Sequence, residues 1–193
     1  MKIITIARDY GAGGHSVGKM VAEKLGLEYY DKDIIKNTAR TSGFEETLIA
    51  SEEETYSGTD SFIHSITPVF RDSKDAIFDY ERAVILDLAR KGPCIFIGRC
   101  ADYVLREAGY DTLDVFLHAD DINRALRVSE LINSKDPAEI KRTIHKMDKF
   151  RANYCLHYTG KRWGDARNYD LSLDTGRLGY ETCAEIICAA AQK

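Results

Sequence analysis

Proline is scarce, with three in 193 residues, and low-complexity runs are lacking, which argues against long disorder. No apolar run is long enough to span a bilayer. The N-terminus lacks the basic-then-apolar order of a secretory signal. The five cysteines, Cys94, Cys100, Cys155, Cys183 and Cys188, include no CxxC pair and match no common zinc spacing. An odd count without an export signal points to reduced thiols and a cytoplasmic protein. Basic charge is in deficit as well: 27 Lys and Arg stand against 31 Asp and Glu, a net −4 that argues against non-specific nucleic-acid binding. No internal repeat is present. Neither a nucleic-acid nor a membrane partner is expected, and the oligomeric state stays open.

What remains is the composition of an ordinary globular chain, 44% hydrophobic and 30% charged, long enough for one domain with an insertion. Its charge is unevenly spread. Residues 141–167 hold eight cations (Lys141, Arg142, Lys146, Lys149, Arg151, Lys161, Arg162 and Arg167) against Asp148 and Asp165. Residues 44–60 are acidic through Glu45, Glu46, Glu52, Glu53, Glu54 and Asp60. A compact basic segment in an acidic protein suits a small anionic ligand, although a solvated helix face has the same composition.

Hydrophobic periodicity predicts strands at Lys2–Ala7, Glu28–Tyr30, Cys94–Ile97, Leu113–His118 and Leu171–Leu173. Helices are predicted at Ser16–Leu25, from Asp31 to Ala39, over Ile77–Arg90, Asp102–Ala108 and Gly179–Ala191. Two more follow an Asp120 or Asp121 cap and the start signal SKDPAE. In that signal Asp136 caps, Pro137 opens the helix and Glu139 closes a capping box. Phe62, Ile63, Ile66, Val69 and Phe70 hint at one further helix. Strands alternating with helices favour a parallel sheet covered on both faces, with ligands beyond the C-terminal strand ends. The predicted division is a core of 1–43, 91–120 and 168–193, a helical insertion of 44–90 and a lid region of 121–167.

At the first strand end the sequence ARDYGAGGHSVGK places Gly11, Ala12, Gly13, Gly14, His15 and Ser16 between strand and helix. Bare N–H groups at a helix start bind phosphate, and glycines let the backbone curl around it. Ser16 falls in the first helical turn, where its hydroxyl could reach Mg²⁺. The usual loop, G-x-x-x-x-G-K-[ST], needs a lysine that is missing here. A plain strand–turn–helix connection would favour the same glycines, so this stretch alone leaves both readings open.

Four further segments follow in order: YYDKDII from Tyr29, IFIGRCADYVL from Ile95, DKFRANYCLHYTGKRWGD from Asp148 and YDLSLDTGRLG from Tyr169. Together with the glycine loop they resemble the cytidylate kinase-like family of P-loop proteins over nearly the whole chain. Members of that family also lack the loop lysine, and often carry Arg where this chain has His15. The resemblance implies an α/β P-loop NTPase three-layer sandwich: a five-stranded parallel sheet with a helical monophosphate-binding insertion and a lid. It implies transfer of the γ-phosphoryl group of ATP, with Mg²⁺, to a nucleoside monophosphate such as CMP or dCMP. A kinase of another small metabolite and a non-catalytic nucleotide sensor are the alternatives.

Without a loop lysine, another cation must cover the β/γ-phosphates. Arg8 is the first candidate, with an ion pair to Asp9 or Asp31 as its ordinary alternative. Lys19 reads better as a surface lysine. Gly98-Arg99 resembles the Gly-Arg-Asp motif of cytidylate kinases, with Cys100 in place of the Asp, so Arg99 is expected on the acceptor. Asp102 would bind the acceptor, organise Arg99 or cap a helix. Arg124 and Arg127 stand three apart, as do Asp148 and Arg151, which resemble the Asp-x-x-Arg of the family lid; intrahelical pairing would give the same spacing. Lys161 and Arg162 are expected over the transferring phosphate, unless they are plain surface cations. Asp31 would reach the acceptor or cap the next helix. Trp163 is expected to pack the lid. His64, His118, His145 and His157 have no partner at ligand spacing.

Overall fold

In a computed structural model, residues 2–35 and 68–192 are described, with the side chains of 68–76 excepted. Five strands form one parallel sheet: β1 (Ile3–Arg8), β2 (Glu28–Tyr30), β3 (Cys94–Ile97), β4 (Thr112–His118) and β5 (Leu171–Asp174). The spatial order is β2-β3-β1-β4-β5. β1 is central, with Ile4 opposite both Ile95 and Leu113. The chain leaves β1 toward β2, returns to β3, then crosses to β4. The strand order therefore reverses beside β1, and a crevice opens beyond its C-terminal end.

Alternation along the strands builds two cores. Ile4, Ile6, Ile95, Ile97, Val115 and Leu117 face one way. They meet Val17 and Val21 of α1 (Gly14–Leu25) and Cys183, Ala184 and Ile187 of the C-terminal helix. Ile3, Cys94 and Phe96 face the other way, against α2 (Pro68–Arg90) and α3 (Ala101–Glu107). The predicted Ile77 start of α2 is corrected: the helix begins at Pro68. Phe62, Ile63, Ile66, His64 and the acidic stretch 44–60 lie outside the described residues, as does the helix predicted through Ala39 beyond Ile35.

Two helices stand over the crevice, α4 (Asp121–Leu131) and α5 (Pro137–Thr159). Asp120 caps α4, accepting from the Asn123 N–H at 2.8 Å. Asp136 caps α5 through Ala138 at 3.0 Å, with Pro137 in the first turn. The capping box is not closed: Glu139 instead accepts from the Ser134 hydroxyl at 2.5 Å, which draws it back toward the preceding turn. Helices α6 (Thr175–Leu178) and α7 (Tyr180–Ala191) complete the chain. No helix among the described residues is long and apolar enough to cross a membrane.

Candidate active site

The glycine loop follows β1 directly. Gly11 and Gly13 sit at φ 88° and 74°, the left-handed region that a side chain disfavours. A Cβ on Gly13 would also lie 2.3 Å from the Tyr180 ring. The first three amides of α1, those of Gly14, His15 and Ser16, have no hydrogen-bond partner among the described residues, and no side chain caps the helix. These N–H groups sit at the positive end of the helix dipole, where an anion is favoured. Ser16 is in that first turn, half-buried. His15 is exposed, and its Nδ1 is 3.3 Å from Asp31.

Distant segments hold the loop in shape. The Tyr10 N–H donates to Asp148 of α5 at 2.8 Å, and Arg124 of α4 donates to the Tyr10 carbonyl at 2.9 Å. Arg124 also pairs with Asp148 and, at 3.8 Å, with Asp9. The buried Thr175 hydroxyl donates to the Ala12 carbonyl at 3.0 Å, with the His118 carbonyl 3.1 Å away. Burial, together with Asp148, pushes the Asp9 carboxyl up to about 6 against the pull of Arg124.

A folded pKa above the ordinary 3.8 means that Asp9 opposes folding once ionised. That penalty is absent below about pH 4 and complete above about pH 6, as the acid titrates between these limits. Asp9→Asn is therefore expected to raise stability at pH 7.5 by about 1 kcal/mol, allowing for solvent screening, and to change little at pH 4. Thermal melts across this range check it; an equal shift at both pH values would place the effect elsewhere.

Beyond the end of β1, a cavity of about 120 Å³ is lined by Arg8, Arg99, Asp102, Arg151, Tyr154 and Trp163, among others. Arg8 threads between the start of α1 and the turn after β3. A Cβ on Gly14 would lie 2.6 Å from its stem, and one on Gly98 would lie 2.1 Å from its Nη1. Burial, then Arg151 and Arg99, push its guanidinium down to about 9, with Asp31 opposing. It thus stays charged at neutral pH among like charges, in a place suited to an anion. Arg151 donates to the Arg8 carbonyl at 2.9 Å and lies over the Tyr10 ring, 5.3 Å from its centre.

Arg99 follows Gly98 in a run of three positive φ values: 80°, 59° and, at Cys100, 51°. Two non-glycine residues in this region mark local strain of the kind held at functional sites. The turn aims the Arg99 side chain inward, where its Nε is 3.2 Å from Glu81 of α2. Glu81 also accepts from the Tyr154 hydroxyl of α5 at 2.8 Å. Glu81 thus joins the helix before β3, the turn after it and the helix above the crevice. The sequence reading passed it over. A signal existed, since Glu81 interrupts the apolar stripe of Phe78, Ile85 and Leu88, all of which are buried.

Four predicted residues, Arg8, Arg99, Asp102 and Arg151, therefore share one cavity. Burial, and next Asp114, raise the Asp102 carboxyl, with Lys161 opposing. Arg124 and Asp148 meet at the loop backbone instead. Arg127 does not join them: it is turned away and paired with Glu130 at 2.9 Å. Asp31 accepts from the Asp33 and Ile34 amides at 3.0 Å, so its capping role is in place. Lys161 lies over the Tyr103 ring, 5.7 Å from its centre, and Arg162 is exposed. Lys19 is a surface residue near Glu23, and Trp163 packs edge-on to Phe116 with ring centres 5.5 Å apart. Among the described residues no group of three or more acidic, His or Cys side chains is arranged to hold a metal.

The sequence model of the cytidylate kinase-like family matches residues 3–177. Among solved structures, an uncharacterized protein from Eubacterium ventriosum is similar over 100% of this chain and 99% of its own, at 24% identity and TM-score 0.77. The APS kinase of Mycobacterium tuberculosis, in complex with AMPPNP and APS, is similar over 100% and 98%, at 18% identity and TM-score 0.56. A shikimate kinase from Bacteroides thetaiotaomicron is similar over 100% and 99%, at 15% identity and TM-score 0.56. No curated protein matches significantly. The fold is that of the P-loop kinases.

Proposed function

The chain belongs to the cytidylate kinase-like family, and from that membership we propose that it is an ATP-dependent kinase acting on a nucleoside monophosphate of the CMP or dCMP type. The observation that carries the reading is the nearness of two anion-seeking features: the open amides of Gly14, His15 and Ser16, and the guanidiniums of Arg8, Arg99 and Arg151. ATP phosphates rest on the amides in this reading. Arg8, at the joint between loop and cavity, stands in for the missing loop lysine. Arg99 binds the acceptor phosphate, and Arg151 stabilises charge on the transferring group. Asp102 and the aromatic wall of Phe150, Tyr154 and Trp163 receive the rest of the acceptor.

Ser16 would hold Mg²⁺ together with phosphate oxygens, which suits a loop without a cluster of acidic ligands. The ion, when bound, neutralises charge on the β- and γ-phosphates. The protein's own share is positioning and electrostatics: in-line alignment by Arg8 and Arg99, and exclusion of water by residues 121–167 acting as a lid.

Calorimetric titration with ATP and Mg²⁺, then with CMP, dCMP and other monophosphates, tests the proposal, followed by phosphotransfer assays on any acceptor that binds. CMP or dCMP is expected to bind and turn over. Turnover confined to a non-nucleotide acceptor would transfer the activity to another small metabolite. Nucleotide binding without turnover of any acceptor would make the chain a sensor.

A further inference from the structure

Two thiols lie in the wall of the same cavity. Cys100 belongs to the strained turn after β3, and Cys155 to α5. The Cys100 thiol donates a hydrogen bond to the Cys155 sulfur. Cys155 is 9% exposed. The Thr159 hydroxyl lies 3.5 Å from its sulfur and the Lys161 carbonyl 3.6 Å away. Both sulfurs are thus held in place, one on the core and one on the helix above it. The phosphoryl transfer proposed above needs neither. Cys94, Cys183 and Cys188 are also free thiols, but none lines this cavity.

We propose that Cys100 and Cys155 are an oxidisable dithiol, a modification site that a hydroperoxide converts reversibly to a disulfide. In the first step the Cys155 sulfur attacks a peroxide oxygen. The O–O bond breaks, the thiol proton leaves with the departing oxygen as water or an alcohol, and Cys155 becomes a sulfenic acid. In the second step the Cys100 sulfur attacks the Cys155 sulfur. The S–O bond breaks, and the hydroxyl leaves as water with the Cys100 proton. Two electrons pass from the sulfur pair to the peroxide.

Cys155 acts first because it receives the donor. The hydrogen bond from Cys100 is the largest influence holding its thiol below the usual range, against burial. Cys100 is pushed the other way, first by that same hydrogen bond and then by burial. The cavity supplies the approach for the peroxide. The resulting bond would pin α5 to the turn that carries Arg99, so that the two could no longer separate.

The test uses the full chain, treated with hydrogen peroxide, denatured, alkylated and digested for mass spectrometry. Two of the five cysteines are expected to escape alkylation, joined in one cross-linked peptide pair through Cys100 and Cys155. Dithiothreitol is expected to release both. In Cys100→Ser, dimedone is expected to label Cys155 as the stranded sulfenic acid. A cross-link through Cys94, Cys183 or Cys188 would overturn the proposal, as would oxidation of all five thiols at equal rates without a cross-link. The wild-type result stands even if the variant folds poorly. None of these readouts involves phosphotransfer, so failure of the kinase reading is told apart from failure of this one.

Discussion

Arg8→Met is expected to lower kcat by about a thousandfold while leaving the ligand-free protein as stable as the parent, or more so. Positioned cations on a transferring phosphoryl group are worth about 10³ to 10⁵ in rate. Methionine keeps much of the volume that Arg8 fills between Gly14 and Gly98 but removes the charge. That charge is a burden to the ligand-free fold, because the guanidinium is held near 9, well below its usual value, by burial, Arg151 and Arg99. The sign follows from proton linkage. Between these two values the unfolded chain binds more protons, so the burden is full below about pH 9 and eases above it. Steady-state kinetics and thermal melts of the free enzyme therefore move in different directions. A lower melting temperature with unchanged kcat would make Arg8 a structural residue and remove it from the reaction.

Arg99→Ala is expected to reduce kcat/KM for the acceptor tenfold or more, since a charge-assisted phosphate contact is worth roughly 1.5–3 kcal/mol. A second effect accompanies it. The Arg99 and Glu81 side chains are only 6% and 3% exposed, so the variant removes the guanidinium paired with a buried carboxylate. Breaking such a pair costs about 3–5 kcal/mol of stability. Arg99→Ala combined with Glu81→Gln separates the two consequences: stability recovers in part, and the catalytic loss stays. Unchanged kinetics in the stable double variant would take Arg99 out of the acceptor site. Arg99→Lys is expected to fall between parent and alanine, because an ammonium keeps the charge but lacks the planar fork.

Much of this layout was legible from residue order. The β-branched runs pointed to the strands, Gly26 marked a helix end through its left-handed backbone and Asp136 a helix start through its side-chain cap, and the ordered motifs carried the fold. Arg8 could be named because it closes β1 beside the glycine loop, Asp102 because it lies just past the Gly98-Arg99 turn, and Arg99 and Arg151 because the motifs around them resemble those of the cytidylate kinase-like family. The partners of these residues were harder to see. Spacing placed Arg124 with Arg127, and Asp148 with Arg151, yet the pair that forms is Arg124 with Asp148, across two helices. Helical spacing predicts neighbours on one helix; packing angles decide between helices. Glu81 is alike in this respect: its position in the apolar stripe signals burial, but its partners Tyr154 and Arg99 come from α5 and the turn after β3.

The peptide of Tyr10 is held on one side by Asp148 and on the other by Arg124, from residues more than a hundred positions further along the chain. During synthesis, the glycine turn emerges from the ribosome long before either helix exists to hold it. The glycine turn therefore takes its final shape only when most of the polypeptide has been made.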